Sequence, residues 1–593
     1  MSPSDGEPRR RRALPLCGLV AAITFLAHSP GWMASDATFV YDDDRFVLHN
    51  EHVQVLHAPW TYLRPETAGD RGAEGIWRPA RTLLFALEWS VFGDQVRGWR
   101  IVGVVLHAGA AGLAALVMLS LVGDRAAAAI GSLAFALHPL TAEVSSWVSS
   151  QGDALALIGF LAAIAFHLRG RTVATLAAAA LALLAKEMAV TLPLVLLALD
   201  LARGRVREGR GRTIGTGAVV VAYVGVRLLV LGGGDFGQPG LDEATWSLTR
   251  AMGILRDARV ALFPVALGFD LHLEWAGSAA HWLAATGGVA VLLALAGASF
   301  VLARRGRPLV AAGLAWTLVA LGPTITPFFP LLIATADRFL VFSLAGLGLV
   351  VAAAVARRGP RVRLAAGAAL LILAVLAGRR TLVYANDESL WTEAARTDPS
   401  NHRALEGLAA AAYRRGDLRE AERRYDAFLA VRDDDAKARY FSGLVKIELG
   451  ARLDDGARYR EGHEELRRAV EGWSSGRPEG RPLRARACLR LAKMEIARGE
   501  LAVAEAYARD ALADPRARDV DRAQAETILA DLILIRLEKN DDAGAGTVVR
   551  GWLQANPARS AAELRDRIVE RARMIRSQVP EARIRALREE PVR

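Results

Sequence analysis

Residues 99–122 read WRIVGVVLHAGAAGLAALVMLSLV, and a second apolar run, AAAAIGSLAFALHPLTA, follows at 126–142 after the charged break 123–125. A helix that crosses the hydrocarbon core of a bilayer needs on the order of 20 apolar residues. Two such runs joined by a three-residue break therefore predict two membrane helices. The 593-residue chain is 52% hydrophobic, more than a soluble domain of ordinary composition requires, so we expect most of this excess to meet lipid.

Further apolar runs lie on both sides of this pair, nearly all of them before about residue 380. The first run follows an arginine block and lacks a small-residue cleavage site, so we interpret it as a membrane helix and not as a signal peptide. The chain is then an all-α, multi-pass protein of the inner or cell membrane. We predict about eleven spans, at 13–33, 99–122, 126–142, 154–168, 172–186, 188–202, 213–233, 284–303, 308–326, 338–356 and 364–379.

Clustered arginines orient these spans, because cytoplasmic loops are enriched in Lys and Arg. We predict a cytoplasmic N-terminus, outer loops at 34–98 and 234–283 and an outer turn near 327–330, and an odd number of spans then places the chain after Arg380 outside as well. The same short blocks explain the net charge of +11 without a nucleic-acid partner. The clusters occupy alternate loops, at 9–12, 123–125, 169–171, 203–212, 304–307 and 357–363.

Beyond about residue 380 the sequence becomes rich in Arg, Glu, Asp and Ala and has the pattern of short amphipathic helices. Gly416 and Gly450 lie 34 residues apart, a common repeat period. A shorter offset of five residues separates Gly416 from Ala421, Gly499 from Ala504 and Asn540 from Ala545. This spacing resembles that of tetratricopeptide repeats, in which small residues let paired helices approach closely. We predict about four such units with an insertion near 451–480, and an unrelated array of charged helical hairpins is the alternative.

The first outer loop opens with FVYDDDR at 39–45, which places Asp42 and Asp43 at the exit of the first span. A carboxylate at the edge of a low-dielectric cavity has its charged form disfavoured, so its pKa rises toward the range of a general base. We expect one of the two aspartates to deprotonate a hydroxyl, at a place that water reaches. A solvated acidic turn or a helix cap is the simpler interpretation of an isolated Asp run.

Other ionisable residues lie in the outer loop, inside the apolar runs or at their ends, and burial of such groups is costly and commonly marks a functional cavity. Each one alone is also compatible with a snorkelling side chain or a buried structural pair. This interpretation is equally good for His107 and for Lys186 with Glu187. In chain order the candidates are Arg78, His107, His138, Glu143, Asp153, Lys186, Glu187 and Arg338.

The order of these motifs along the chain is more specific than any one of them. They are FVYDD at 39–43, WRP at 77–79, His107, HPLTAE at 138–143, Asp153 and KE at 186–187. In this order they resemble the transmembrane and tetratricopeptide-containing protein O-mannosyltransferase family, which has a type C glycosyltransferase membrane fold. The resemblance continues through LFP at 262–264, ADRF at 336–339 and the repeats, and so covers most of the chain.

The resemblance implies a lipid-linked donor, typically a polyprenyl phosphate monosaccharide, and transfer of its sugar to an extracytoplasmic acceptor such as a protein Ser or Thr. Asp42 or Asp43 would be the base, and the remaining candidates would bind substrate or donor. One departure matters, because Gln151-Gly152-Asp153 stands where related sequences usually read Arg-x-Asp. A cation that would neutralise phosphate is therefore missing. Either Arg338 or Lys186 supplies the charge, or the donor differs, or activity has been lost.

We predict a glycosyltransferase-like membrane domain at 1–383, a repeat domain at 384–580 that collects the acceptor, and a tail at 581–593. The rival function is a non-catalytic membrane scaffold whose repeats recruit partner proteins, and a transporter is a third. With only Cys17 and Cys488, the chain has neither a disulfide framework nor a CxxC metal site. No cofactor is assigned, and the use of a divalent metal stays open.

Overall fold

The fold is almost entirely helical and divides into two compact units, Met1–Ala404 and Leu405–Arg593. An all-α architecture is therefore confirmed. Apart from the helices, the described chain contains one short ladder, in which β1 (Gly69–Asp70) pairs antiparallel with β2 (Ile76–Trp77). The computed structural model describes residues 7–70, 76–231, 243–269, 277–325, 335–399, 401–474, 481–514, 517, 519–555 and 560–587.

The helices of the first unit follow the apolar runs of the sequence, and each predicted span coincides with one or two of them. In chain order they are α1 (Glu7–His28), α2 (Pro30–Met33), α3 (Glu51–Gln54), α4 (Pro65–Ala68), α5 (Pro79–Phe92), α6 (Val96–Val122), α7 (Arg125–Ala136), α8 (Ala142–Ser146), α9 (Gln151–Leu168), α10 (Thr172–Ala185), α11 (Leu192–Arg203), α12 (Val206–Leu231), α13 (Glu243–Leu262), α14 (Ala279–Arg304), α15 (Pro308–Ala320), α16 (Gly322–Ile325), α17 (Val341–Val355), α18 (Pro360–Thr381) and α19 (Asp387–Thr397). Shorter helical turns lie at Asp44–Leu48, Pro59–Leu63, Pro139–Thr141, Val148–Ser150, Glu187–Thr191, Asp337–Leu340 and Leu382–Tyr384.

Among the described residues, seven helical segments are long and apolar enough to cross a membrane. They are Val96–Val122, Val148–Leu168, Val206–Leu231, Ala279–Arg304, Pro308–Ile325, Asp337–Val355 and Pro360–Tyr384. An eighth is possible if α7 and the segment Pro139–Ser146, which meet at 56°, form one broken span, and two shorter apolar helices are Ala13–His28 and α10. These helices indicate an integral membrane protein. The number of about eleven spans stays a prediction, as does the orientation.

Three long helices of the first unit, α12, α14 and α18, present large apolar side chains on their outer surfaces. Leu229 on α12 is 84% exposed, Leu283 on α14 is 75% exposed and Leu364 on α18 is 76% exposed. Extended apolar surface of this kind is rare on soluble monomers, and a bilayer would cover it. The outer surface of the unit therefore supports the membrane assignment independently of helix length.

The inner helices approach one another through small residues. α7 and α17 cross at Gly131 and Gly348, where a Cβ atom built on Gly131 would lie 2.4 Å from the carbonyl oxygen of Gly348. Helix association in a membrane depends on close van der Waals packing, which only small residues permit at such a crossing. α17 is thereby held against α7, and the turn Asp337–Leu340 at its start packs against the turn Pro139–Thr141 that follows α7.

The segment 234–283 was predicted only as an outer loop, but it contains the 20-residue helix α13. Arg250 and Asp257 on this helix are buried, and these charged positions interrupt the apolar pattern by which a helix is recognised. The parts of this segment at 234–242 and 270–276 lie outside the described residues, as do the predicted turn at 327–330, the side chains of 9–12 and the tail from 588.

The first unit extends beyond the predicted domain end at residue 383, because the chain around α19 is attached to the first outer loop. The Tyr41 N–H donates to the Asp387 carboxylate at 3.0 Å, and the Thr38 N–H donates to the carbonyl of Ala385 at 2.9 Å. Arg100 on α6 donates to the carbonyls of both Thr38 and Ala385. Residues up to 404 therefore belong to the membrane unit by packing.

The second unit is built from consecutive helices that pack as hairpins around their own hydrophobic cores. α20 (His402–Arg414) spans the boundary between the two units. The helices that follow it are α21 (Leu418–Val431), α22 (Ala436–Leu453), α23 (Gly456–Ser474), α24 (Arg481–Arg498), α25 (Leu501–Ala513), α26 (Asp519–Glu538), α27 (Asp542–Ala555), α28 (Ala561–Met574) and α29 (Glu581–Arg585).

The same turn recurs at the positions that marked the repeat in the sequence. Gly416, Gly499 and Asn540 each adopt a left-handed backbone between two paired helices, with φ values of 78°, 82° and 59°. Glycine and asparagine are the residues that tolerate this conformation best. The alanine five positions after each of them is fully buried. A repeated helical hairpin is therefore present, while its assignment as a tetratricopeptide repeat stays a prediction.

Sidedness is testable with single cysteines in a variant that carries Cys17→Ser and Cys488→Ser. Arg64→Cys lies in the predicted outer loop and Arg305→Cys in a predicted cytoplasmic loop, and both positions are exposed. We expect a membrane-impermeant maleimide to label intact cells at position 64 but not at 305, which should react only after permeabilisation. Labelling at 305 in intact cells would reverse the predicted orientation.

The second unit should fold without the membrane unit, because its hairpins bury their own apolar cores. We expect a fragment covering 400–593 to be soluble, strongly helical by circular dichroism and cooperative in thermal unfolding. The matched control is Ala504→Arg, which places a charge at a fully buried interface position and should abolish the cooperative transition. A native fragment that behaves like this variant would contradict an independent unit.

Candidate active site

A break in the helical chain sets the position of the site. α7 ends at Ala136, and the next long helix is α9. Between them lie two short turns and the five-residue helix α8. Pro139 lacks an N–H and favours an extended residue before it, and His138 is accordingly extended with φ −66° and ψ 129°. Irregular backbone within an apolar span is tolerated where protein buries it or where it lines a cavity. The break places Glu143 and Ser149 close before the start of α9.

Asp43 attaches the first outer loop to this break. Its side chain is buried, its Oδ2 accepts the Val40 N–H at 3.0 Å, and its Oδ1 accepts both the N–H and the hydroxyl of Ser149, at 2.8 and 2.5 Å. We expected water to reach both aspartates, and for Asp43 that expectation is wrong, because protein donors surround its oxygens. Asp43 is thus placed as a brace for the loop.

Asp42 has a different environment from its neighbour. It is half-buried, and its carboxylate interacts electrostatically with the guanidinium groups of Arg81 and Arg338. Tyr41, just before it, has a left-handed backbone with φ 51°, which is uncommon for a residue other than glycine. Of the two aspartates, Asp42 is the one that combines partial access with adjacent positive charge.

Two ion pairs, the buried Lys186–Asp153 and the part-buried Arg78–Glu187, lie near the start of α9 and the end of α10. The Lys186 ammonium donates to Oδ1 of Asp153 at 2.5 Å, and the Ser150 hydroxyl donates to the other oxygen at 3.0 Å. Arg78 and Glu187 form a two-point contact, with Nε–Oε2 at 3.0 Å and a terminal nitrogen–Oε1 distance of 2.5 Å. This fork geometry fixes the guanidinium in one plane. The structure therefore brings four of the predicted residues together.

A third pair connects the helix break to α17. Glu143 accepts the backbone N–H of Arg338 at 2.9 Å and its guanidinium at 2.6 Å, so one carboxylate holds both the turn and the side chain. Arg338 also lies over the Trp147 ring, with its guanidinium carbon 5.1 Å from the ring centroid. The neighbouring Asp337 accepts from Arg256 on α13 at 2.5 Å. Arg338 is thereby held beside Asp42 and Asp153.

The two predicted histidines, His107 and His138, form hydrogen bonds with the backbone at the helix break, as does His28, which was not predicted. The Nε2 atoms of His107 and His28 lie 2.9 and 3.2 Å from the Ala136 carbonyl, which the break leaves without its usual helical donor. The two rings lie 4.8 Å apart. His138 accepts the Leu140 N–H at 3.3 Å and so caps the turn that follows α7. In the described part of the chain, no hydrogen bond joins these histidines to Asp42 or Asp153.

Arg81 belongs to the site but was not among the predicted residues. It lies one helical turn after Arg78 at the start of α5, so the Pro79 helix start in WRPAR was the available signal. Its guanidinium lies over the Phe46 ring at 4.5 Å and interacts electrostatically with Asp42, Asp153 and Glu187. The side chain is buried, and it adds a further cation to those of Arg78, Lys186 and Arg338.

The departure at Gln151 has a structural explanation. The Gln151 side chain is buried and donates to the carbonyl of Trp99 on α6 at 2.7 Å. Glu88 on α5 lies beside it, and burial raises the pKa of Glu88 to about 9, so this acid is neutral at physiological pH. Residue 151 therefore contacts the α5 and α6 side of the site in this chain.

Burial also dominates the titration of Asp43. Loss of water raises the pKa of Asp43 from 3.8 to about 7, although its hydrogen bonds to Ser149 and Val40 favour the charged form.

No group of three or more His, Cys, Asp or Glu that could hold a metal ion occurs in the part of the chain that the structure describes. The positive charges of the described site are those of arginine and lysine.

Comparison with known proteins identifies relatives of this chain. The chain is 32% identical over 167 residues to "Protein O-mannosyl-transferase Tmtc1" of Drosophila melanogaster, which covers 26% of this chain and 19% of the relative. Its resemblance to this O-mannosyltransferase family is confirmed. Tmtc2 of the same fly is 32% identical over 189 residues, 28% of this chain and 20% of the relative.

TMTC2 of Mus musculus is also related, at 28% identity over 138 residues, 22% of this chain and 16% of the relative. The chain thus matches about a fifth of the length of these curated relatives. No family model matches it. The activity of the O-mannosyltransferase relatives is therefore a basis for a proposal about this chain.

Asp43→Asn should destabilise the protein, in contrast to Asp42→Asn. The amide would turn an N–H group toward donors at Val40 or Ser149, and a buried donor left unpaired costs about 1–3 kcal/mol. We expect the melting temperature of the detergent-purified protein to fall for Asp43→Asn and to change little for Asp42→Asn. The exposed Asp44→Asn is the matched control.

The sign of the pH dependence follows from the raised pKa of Asp43. Because the native state holds a proton that the unfolded chain releases, this contribution to stability is present below pH 3.8 and is lost as the pH rises through about 7. The melting temperature of the native protein should therefore include a contribution that falls between pH 3.8 and about 7, and this contribution should be absent from Asp43→Asn. Equal pH profiles for the two proteins would show that Asp43 ionises at its ordinary pKa.

Proposed function

We propose that this protein is a membrane glycosyltransferase that moves a sugar, with mannose as the first candidate, from a polyprenyl-phosphate donor to a hydroxyl of an extracytoplasmic acceptor. The observation that carries the proposal is the placement of Asp42, a half-buried carboxylate beside the buried Arg81 and the half-buried Arg338. The relatives are named protein O-mannosyl-transferases, and this name favours a Ser or Thr side chain of a protein as the acceptor.

In this proposal Asp42 is the general base. It takes the proton from the acceptor hydroxyl while the hydroxyl oxygen attacks the anomeric carbon of the sugar. The bond between that carbon and the phosphate oxygen breaks, and the lipid phosphate leaves with the electron pair. Negative charge then grows on the phosphate, where fixed cations stabilise it most effectively when water is excluded. Arg81 and Arg338, both of which interact electrostatically with Asp42, would stabilise this charge.

The other charged residues position this centre. Asp43 fixes the loop that carries Asp42, while Glu143, Asp153 and Glu187 each hold one cation in a defined place. Removing an ion from water costs several kcal/mol even when it is paired, so a set of buried pairs is an expensive way to build a passive anchor. A scaffold needs one membrane helix, and the buried charges therefore favour an enzyme over a scaffold.

The second unit would collect the acceptor. Its repeated hairpins, if they are tetratricopeptide repeats, present helical surfaces suited to extended protein segments. With an odd number of spans this unit lies on the outer side, the same side as the loop 34–98. The type C glycosyltransferase fold of the membrane unit and the extracytoplasmic position of the repeats are parts of the same proposal.

Asp42→Asn should abolish most transfer without loss of folding. Removal of a positioned base typically lowers the rate by about 10²–10⁴. We expect this loss in membranes supplied with labelled sugar on polyprenyl phosphate, with Asp44→Asn, an exposed carboxylate two residues away, retaining native transfer.

The position of Asp43 provides a second comparison in the same assay. Full transfer by Asp42→Asn would exclude Asp42 as the base. Loss of transfer in a stably folded Asp43→Asn would then assign the role of base to Asp43. If the native chain transfers no sugar from any polyprenyl phosphate donor while the second unit captures a specific protein, the scaffold replaces the enzyme.

A further inference from the structure

Arg81 is the one site cation for which the described residues provide no counter-ion at hydrogen-bond distance. Lys186 is paired with Asp153, Arg78 with Glu187 and Arg338 with Glu143. The Nε of Arg81 is buried without a hydrogen-bond partner, and its nearest charged neighbours act on it only electrostatically. With 4% of the residue exposed, Arg81 is a buried guanidinium with unused donors.

The chain makes specific room for this side chain. A Cβ atom on Gly152 would lie 2.9 Å from Cδ and 3.0 Å from Cγ of Arg81, so the arginine stem lies directly on the Gly152 backbone. The guanidinium carbon lies over the Phe46 ring, 4.5 Å from its centroid. The stem is therefore fixed at the start of α9, one residue before Asp153.

A buried arginine without a partner is unfavourable for the folded protein. Guanidinium groups bind phosphate through two parallel hydrogen bonds, and an arginine is always charged at physiological pH. An anion with phosphate geometry would satisfy the donors that the protein leaves unused. The carboxylates of Asp42, Asp153 and Glu187 also lie near Arg81 and would repel an anion. The anion must therefore approach Arg81 from the side of the other site cations.

We propose that Arg81, seated on Gly152, binds the phosphate group of the lipid-linked donor and supplies the positive charge that is missing at Gln151. This inference rests on the proposed function for the identity of the carrier lipid. It also gives a reason for both residues of the pair Gln151-Gly152. Gln151 contacts Trp99, and the absence of a side chain at Gly152 leaves room for Arg81 from α5.

The test is binding of polyprenyl monophosphate, the lipid product, to the full-length protein in nanodiscs, measured as ligand-dependent thermal stabilisation. We expect Arg81→Gln to weaken binding by about 10- to 100-fold, the loss typical of a hydrogen bond to a charged group. The melting temperature without ligand should stay the same or rise, because the variant no longer buries an unpaired charge. A merely structural arginine would show the opposite, with lower stability and unchanged affinity.

Two further variants make the result specific. Arg45→Gln removes an exposed arginine that lies over the same Phe46 ring at 5.3 Å and should leave binding unchanged. Gly152→Ala keeps the charge but forces the Arg81 stem to move, and it should weaken binding as well. Native affinity in Arg81→Gln, or an equal loss in Arg45→Gln, would overturn the proposal.

The ligand arms identify the source of the phosphate. Neutral polyprenol of the same length should not stabilise the protein, and phosphatidylglycerol or inorganic phosphate should stabilise it far less than polyprenyl phosphate. Equal stabilisation by phosphatidylglycerol would overturn the assignment to the carrier lipid. Because this assay needs no sugar transfer, Arg81-dependent binding in a chain that lacks transferase activity would refute the proposed function and leave the phosphate site standing.

Discussion

A charge removed from water needs a compensating charge or hydrogen bond nearby, and this requirement organises the candidate site of the membrane unit. The pairs that satisfy it connect segments far apart in sequence. Arg78 and Glu187 are separated by 109 residues, and Glu143 and Arg338 by 195. The first pair holds the start of α5 against the end of α10, and the second holds α8 against the turn that precedes α17.

The helix break after Ala136 depends on the same requirement. A break leaves a carbonyl without its helical donor, and in this chain His28, His107 and Thr141 all supply hydrogen bonds to that one oxygen. Asp43 in turn holds the outer loop against the turn before α9. Local irregularity and long-range attachment therefore occur together, and both are needed to place Asp42 among cations.

Much of the fold could be predicted from the sequence, because apolar runs of membrane length reveal helices without any tertiary information. α13 was missed because its buried charges interrupt that pattern. The charged members of the site were found as residue types, but the partner of each was not, since pairs separated by 33, 109 and 195 residues leave no local spacing. Asp42 and Asp43 are chemically identical neighbours, and only the donors around Asp43 distinguish a brace from a candidate base.

The attachment of α19 to the first outer loop has a consequence for how such proteins diversify. The Asp387 carboxylate accepts the Tyr41 N–H, and Tyr41 directly precedes the candidate base. A recombination event that joined a new repeat array at the apparent end of the last span would remove this support from the loop. Exchange of repeat arrays between relatives is therefore least disruptive after residue 404, where the compact units separate. The packing therefore favours inheritance of the chain up to that point as one block, while substitutions on the surfaces of the later hairpins leave the support of the loop intact.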